Sequence, residues 1–345
     1  MKAPSTKPTY ASLQAGRGIA ALMIVVFHTT VFFGHDARYW HREWLTLNSA
    51  GLGVSIDYFF VLSGAVILMA HRADIGRVVT LRPYLWKRFR RVYPIYWIVF
   101  TCLTLGIELH PQLGETLRSN PWVVISGYLL VFVNTLQLNL LTSWTLFQEV
   151  LFYSLFAVLL ASRKAGTLVF AAWFVLSIVS LIHPGPVVWS FYLGNPLHLL
   201  FGFGMFAAWL LRSRPNLPAR RFIAVGTVIV FCAFLAGDIY GYVPVPLGLV
   251  AGIGSTFLLI GIASLEEHGI LTIPQPLRFV GDASYSIYLI HYPYFMVCSP
   301  LLYRLWLRHP IPIAIPFIAM LASGVAAGCL LHVYVERPLL RWLPR

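Results

Sequence analysis

Eleven apolar runs divide this chain, near residues 14–33, 50–70, 92–108, 122–141, 144–161, 167–182, 189–211, 222–237, 247–265, 283–303 and 311–333. A bilayer span needs roughly 20 mostly apolar residues, so the runs are the right size to cross one. Only 11% of the 345 residues are charged, against about a quarter in an average soluble domain. So few charges could not keep a surface of this size in water. The expectation is an all-α, polytopic integral membrane protein, with one transmembrane domain over 1–345. No internal repeat or low-complexity segment is visible, and no soluble domain is expected at either end.

Charge decides between ten and eleven crossings. Lys and Arg concentrate on the cytoplasmic side of membrane proteins. If 122–141 does not cross and the N-terminus is cytoplasmic, 20 of the 25 Lys+Arg fall inside and 5 outside. If it crosses, every later loop flips and the split becomes 12 to 13. About ten transmembrane helices are therefore expected, with 122–141 re-entrant or buried. Asn134, Gln137 and Asn139 in that segment suit a wet cavity better than lipid. Both termini are expected in the cytoplasm, at the bacterial inner membrane. Lys2, Lys7 and Arg17 precede the first run as in a signal peptide, but the run lacks a small-residue cleavage site and contains His28, so it reads as a retained span.

The net charge of +13 raises the question of nucleic acid, but no binding motif for it is present, and the charges sit at the ends of apolar runs. Cys102, Cys232, Cys298 and Cys329 lie inside apolar runs without metal-ligand spacing. They read as small packing residues, and no metal site is expected.

Ionisable residues inside spans are costly and default to functional candidates. Arg17 and His28 are 11 residues apart. At 3.6 residues per turn they share one helix face, roughly 16 Å apart along the axis. The competing reading is an interfacial anchor plus a histidine satisfied by a neighbouring helix. Asp57, ahead of Ser63 and Gly64, calls for a cation or a donor, and Ser63-Gly64 reads as a close helix contact. The stretch Arg82 to Arg91, with Arg88, Arg90 and Arg91, is either a topology determinant on anionic headgroups or a phosphate site. Glu149 stands four residues before Tyr153, so both can line one face. Ser284, Tyr285 and His291 form another polar group within a span. Glu336-Arg337-Pro338 reads as a helix-end pairing, and His198 and His332 as structural histidines.

These residues and their order resemble the membrane-bound acyltransferase-3 family. The likeness is carried by Arg17 and His28, by the Phe-Phe-Val-Leu-Ser-Gly segment at 59–64, and by Arg91, Pro94, Tyr96 and Trp97. It continues through 144–153 and through 284–293. Ser55-Ile56 and Ala65 depart from the usual residues of the family, at positions that touch no reacting group.

The resemblance implies a ten-span enzyme that O-acylates bacterial surface sugars and some natural products, with acyl-CoA, usually acetyl-CoA, as donor and no tightly bound cofactor. The short, single-module form is most like exopolysaccharide O-acetyltransferases, and the length leaves no room for an appended hydrolase-like domain. On that reading Arg17, Arg88, Arg90 and Arg91 hold the phosphates of CoA. The pantetheine arm extends along the first span, and His28 is the general base. Glu149 orients or charge-stabilises His28, or positions the acceptor. Asp57, Tyr153, Ser284, Tyr285 and His291 support the acceptor or the site. The expected partners are acyl-CoA, a glycan or lipid-linked oligosaccharide, and the bilayer. A transporter or flippase of lipid-linked sugars would also place His, Glu and Arg in a midplane cavity, but the chain lacks paired interrupted spans.

Overall fold

A computed structural model describes residues 10–34, 39–42, 49–109, 121–131, 140–183, 185, 192–214, 216–309 and 311–344. These hold twelve α-helices and no strand. They are α1 (Ala11–Gly34), α2 (Val54–His71), α3 (Leu81–Glu108), α4 (Pro121–Leu129), α5 (Trp144–Ala161) and α6 (Arg163–Ile182). The series continues with α7 (Leu199–Ser213), α8 (Ala219–Tyr240), α9 (Val245–Glu267), α10 (Gln275–Arg308), α11 (Ala314–Leu331) and α12 (Arg337–Trp342). A π-helical turn, His332–Glu336, joins the last two.

Among the described residues, seven segments are long and apolar enough to cross a membrane: Ala11–Gly34, Ala50–Asp74, Leu141–Ala161, Arg163–Ile182, Ala219–Tyr240, Val245–Glu267 and Ala314–Trp342. The expected count was about ten. Four other helices miss that standard, the nine-residue α4 and three longer ones. α3 has 28 residues, and its first turns are the basic stretch, which continues the apolar run as one helix rather than preceding it as a loop. α10 has 34 residues and charged ends. α7 has 15.

Helices approach closely where side chains are missing. A Cβ on Gly64 would overlap the Phe201 carbonyl, and one on Gly204 the Val61 carbonyl, so α2 and α7 cross backbone to backbone. Ser63-Gly64 is thus a close contact, as the sequence suggested, and it also has a second role described below. Gly18 and Gly281 do the same for α1 and α10: a Cβ on Gly18 would stand 2.8 Å from the Gly281 nitrogen. Van der Waals contact replaces the hydrophobic effect as the glue between helices in lipid.

One end of the bundle gathers the segments expected to be cytoplasmic. The backbone N–H groups of Ala11 and Ser12, unpaired by the helix itself, donate to Glu266 Oε1 and Oε2 at 2.7 and 2.8 Å. Gly76 N donates to the Leu159 carbonyl at 3.2 Å. Arg90 Nη1 donates to the Leu343 and Pro344 carbonyls at 3.0 and 2.8 Å. A full crossing by 122–141 would separate the 72–80 segment from the end of α5, which these contacts join.

The described part of the segment expected not to cross is α4. Its nine residues rise only about 13 Å. Tyr96, Trp97 and Tyr93 of α3 donate to the carbonyls of Gly127, Tyr128 and Leu129 at 2.9, 2.8 and 3.1 Å. Side chains of α3 thus satisfy the carbonyls of this helix end. Leu130 then turns the chain with φ 51° while fully buried, a position that glycine usually fills. Asn134, Gln137 and Asn139 lie outside the described residues. Cys102 and Cys232 are exposed on the helix surface, not packed inside as expected.

Candidate active site

α1 and α10 run side by side from the Gly18–Gly281 contact, and the two intramembrane histidines meet farther along them. His28 Nδ1 lies 2.8 Å from His291 Nε2, with the rings stacked at 5.0 Å and 29°. Tyr292 sets its ring edge-on to His28 at 5.3 Å. His291 is fully buried, and its Nδ1 lies 3.0 Å from the Ile287 carbonyl one turn back. A carbonyl only accepts, so the proton of neutral His291 is on Nδ1 and its Nε2 accepts. The proton between the rings therefore belongs to His28 Nδ1. That leaves His28 Nε2 bare, with a lone pair directed away from the pair. The sequence named both histidines but could not couple them, because 263 residues separate them.

Below this pair the polar residues are charged. Glu149 Oε1 accepts hydrogen bonds from the Tyr153 hydroxyl and from Ser63 Oγ, the latter at 3.2 Å. Among the described residues it makes no hydrogen bond to His28, so orientation of His28 falls to His291 instead. Glu149 sits one turn beyond Thr145, whose hydroxyl meets that of Tyr288 at 2.8 Å, and the Tyr288 ring lies 5.9 Å from that of His291. Tyr288, not singled out in the sequence, thus touches both α5 and His291.

Arg17 lies within coulombic reach of Arg91, Glu149, Tyr153 and Glu336. Its Nη1 is 3.4 Å from Gln14 Oε1, and Gln14 in turn donates to Asp282 at 3.2 Å. Arg91 reaches the same cluster because the Tyr285 hydroxyl donates to the Val92 carbonyl at 2.9 Å and pins α3 against α10. Arg88 lies over the rings of Tyr84 and Tyr153 at 5.9 and 5.5 Å, and its buried Nε has no hydrogen-bond partner among the described residues. An unpartnered buried donor of this kind is costly, and it leaves a position for an acceptor. Arg17, Arg88 and Arg91 therefore gather. Arg90 does not: it holds the Leu343 and Pro344 carbonyls on another face of α3.

Asp57 stands apart. It is 3% exposed, and among the described residues its Oδ2 has neither the cation nor the donor that the sequence led one to expect. It packs against α9, where a Cβ at Gly248 would come within 3.2 Å of both oxygens. Ser284 is also buried with its hydroxyl unpartnered, on the face of α10 that carries Tyr288 and His291. His198 is held by Gln148, with Nε2 2.5 Å from Oε1 and Trp173 against its ring, which fits the structural role expected of it. No group of three or more His, Cys, Asp or Glu side chains fit to hold a metal exists among the described residues.

The geometry thus offers one imidazole with a free nitrogen, two carboxylates and three arginines on facing helices. That is a set suited to group transfer from an anionic donor. The chain is similar to the exopolysaccharide production protein ExoZ of Rhizobium meliloti, 29% identical over 92% of this chain and 95% of that one. It is 24% identical to the peptidoglycan O-acetyltransferase OatA of Listeria monocytogenes over 84% of this chain and 50% of that longer protein. With the acyltransferase MdmB of Streptomyces mycarofaciens it shares 26% identity over 85% of this chain and 82% of the other. No solved structure matches it. The model of the Acyltransferase domain, acyltransferase 3, aligns with residues 10–333, nearly the whole set of membrane helices and every site residue but Glu336, and the chain belongs to that family of membrane acyltransferases.

Proposed function

We propose that this protein transfers an acyl group, acetyl in the first place, from acyl-CoA to a hydroxyl of a bacterial surface glycan or its lipid-linked precursor. The observation that carries the reading is the bare Nε2 of His28 on the same helix face as Arg17. Two of the similar proteins are named for exopolysaccharide production and peptidoglycan O-acetylation.

Arg17, Arg88 and Arg91 hold the phosphates of the donor. Arginine keeps its charge in every environment here and binds phosphate oxygens with a fork of donors. The acyl-bearing arm lies along α1, whose rise of roughly 16 Å between Arg17 and His28 fits it. His28 Nε2 takes the proton from the acceptor hydroxyl as that oxygen bonds to the thioester carbon. The carbon–sulfur bond then breaks, and the proton passes from His28 to the departing thiolate, giving an ester and CoA. A general base of this kind contributes about 10²–10⁴-fold. Glu149, fixed by Tyr153 and Ser63, positions the acceptor and balances the arginines.

The donor end of the site is assigned to the cytoplasm, with both termini on that side and the protein in the bacterial inner membrane. The support is the 20-to-5 split of Lys+Arg and the gathering of those segments at one end. A topology reporter fused at residue 85 should report the cytoplasm. For the activity, purified protein is given labelled acetyl-CoA and candidate lipid-linked glycans, and the product is read by mass spectrometry. Ester-linked label on the glycan is expected. No consumption of acetyl-CoA with any acceptor would remove the donor from the assignment.

A further inference from the structure

A cleft of about 580 Å³ opens between the start of α10 and the start of α12, a volume in the range of small-molecule sites. Arg278, Phe279 and Asp282 of α10, Arg337 of α12 and Ile273 line it. Arg17, Arg88 and Arg91, assigned above to the donor, are not in its wall.

Both guanidinium groups in the cleft are anchored through Nε. Arg278 Nε donates to the Ile273 carbonyl at 2.8 Å. Arg337 Nε lies 3.0 Å from His332 Nε2 and can only donate. That fixes the tautomer: His332 accepts on Nε2 and donates through Nδ1 to Glu336 Oε2 at 2.7 Å. Ser286 Oγ donates to the same oxygen at 2.6 Å. The His332–Glu336 turn is π-helical, a winding that relates residues five apart, and Arg337 stands five beyond His332. The Arg337 guanidinium also lies over the Phe279 ring at 5.6 Å. Each arginine is thus held from behind with its two Nη groups left over. Among the described residues those Nη groups make no hydrogen bond, and neither arginine is in an ion pair.

Asp282 shares the cleft without neutralising them. Its Oδ1 accepts from Gln14 Nε2 at 3.2 Å, and two cations face one carboxylate. The surplus is positive and forked. Guanidinium forks match the oxygens of a phosphate, and Phe279 and Ile273 offer apolar surface to the carbon that the phosphate esterifies.

The cleft belongs to the end of the bundle assigned to the cytoplasm, since Gln14 is in the first turn of α1. Tyr334 and Trp342, either side of Arg337 in the sequence, are both exposed, and Tyr and Trp collect at headgroup level. Basic pockets between membrane helices on that side bind phosphorylated headgroups.

We propose that this cleft is a binding site for a phosphate ester, separate from the arginines of α1 and α3. The ester is carried by an anionic lipid headgroup or by the nucleotide end of CoA; the chemistry recognised is the same. The lipid source is independent of the acyl-CoA reading above, so failure of that reading leaves it standing.

The test uses full-length protein in two arms. In the first, nanodiscs hold equal parts phosphatidylglycerol and phosphatidylcholine, and native mass spectrometry reads the lipid retained. In the second, calorimetry compares CoA with 3′-dephospho-CoA. Arg278→Gln and Arg337→Gln should each weaken one of these ligands about tenfold, the scale of a charge-assisted hydrogen bond. Arg341→Gln, an exposed arginine at the same end but outside the cleft, should stay within about twofold. Lost preference for phosphatidylglycerol identifies the lipid headgroup as the source. Lost preference for CoA over its dephospho form identifies the nucleotide. Arg278 is exposed, so its variant decides the matter if Arg337→Gln does not fold. Both preferences unchanged in the folded variants would overturn the proposal. So would an equal loss in Arg341→Gln, which would show general surface charge and no built site.

Discussion

At one level of the bundle His28 and His291 meet as two neutral rings 2.8 Å apart. At the other level Arg88 lies over the Tyr153 ring, Tyr153 donates to Glu149, and Arg17 is within coulombic reach of Glu149 and Arg91. The first arrangement orients a proton with no net charge to compensate. The second stores opposed charges that a ligand can rearrange. Changes to the histidine level should therefore act on the rate of the chemical step. Changes to the arginine level should act on how tightly the donor is held. Tyr288 touches His291 through its ring and Thr145 through its hydroxyl.

The largest effect should come from His28→Ala. Loss of the bare Nε2 should lower kcat by 10²-fold or more, about what a general base contributes, while the protein still inserts. A rate above about a tenth of wild type would remove His28 as the base. Glu149→Gln comes next, with activity reduced on the order of 10²-fold, the scale for losing one electrostatic contact in a water-poor site. Near-normal turnover in that variant would erase Glu149 from the site.

Arg17→Ala tests the other level. Removing one charge-assisted contact should raise the KM for the donor by roughly 10- to 100-fold, with kcat less affected. A fall in kcat at constant KM would break the division between levels. His291→Ala should cost about tenfold in kcat, near the worth of one hydrogen bond, because His28 loses the group that fixes its tautomer. Arg90→Ala sharpens the comparison from below. Arg90 binds the Leu343 and Pro344 carbonyls, so donor KM should stay within about twofold of wild type, in the range of substitutions away from a site.

Apolar run length and the distribution of Lys and Arg were sufficient to read a polytopic helical membrane protein from the sequence. α5 matches its run to the residue, and α1, α2, α8 and α9 begin and end within a few residues of theirs. Helix formation in lipid is dictated locally, since each segment must satisfy its own backbone. The shared face of Arg17 and His28 was legible for the same reason, because 11 residues on one helix fix an angle and a rise. What the sequence could not supply was any pairing between helices. His28 with His291, Glu149 with Ser63, and Glu336 with Ser286 are joined across 263, 86 and 50 residues. Those pairs depend on where glycines let backbones touch, as at Gly18 and Gly281, and no local pattern encodes which helix will fill the gap. Arg88, Arg90 and Arg91 looked equivalent as a basic stretch. Only the helical rotation of α3 against its neighbours turned Arg90 to the Leu343 and Pro344 carbonyls and left Arg88 over the Tyr153 ring, since successive residues on a helix point about 100° apart.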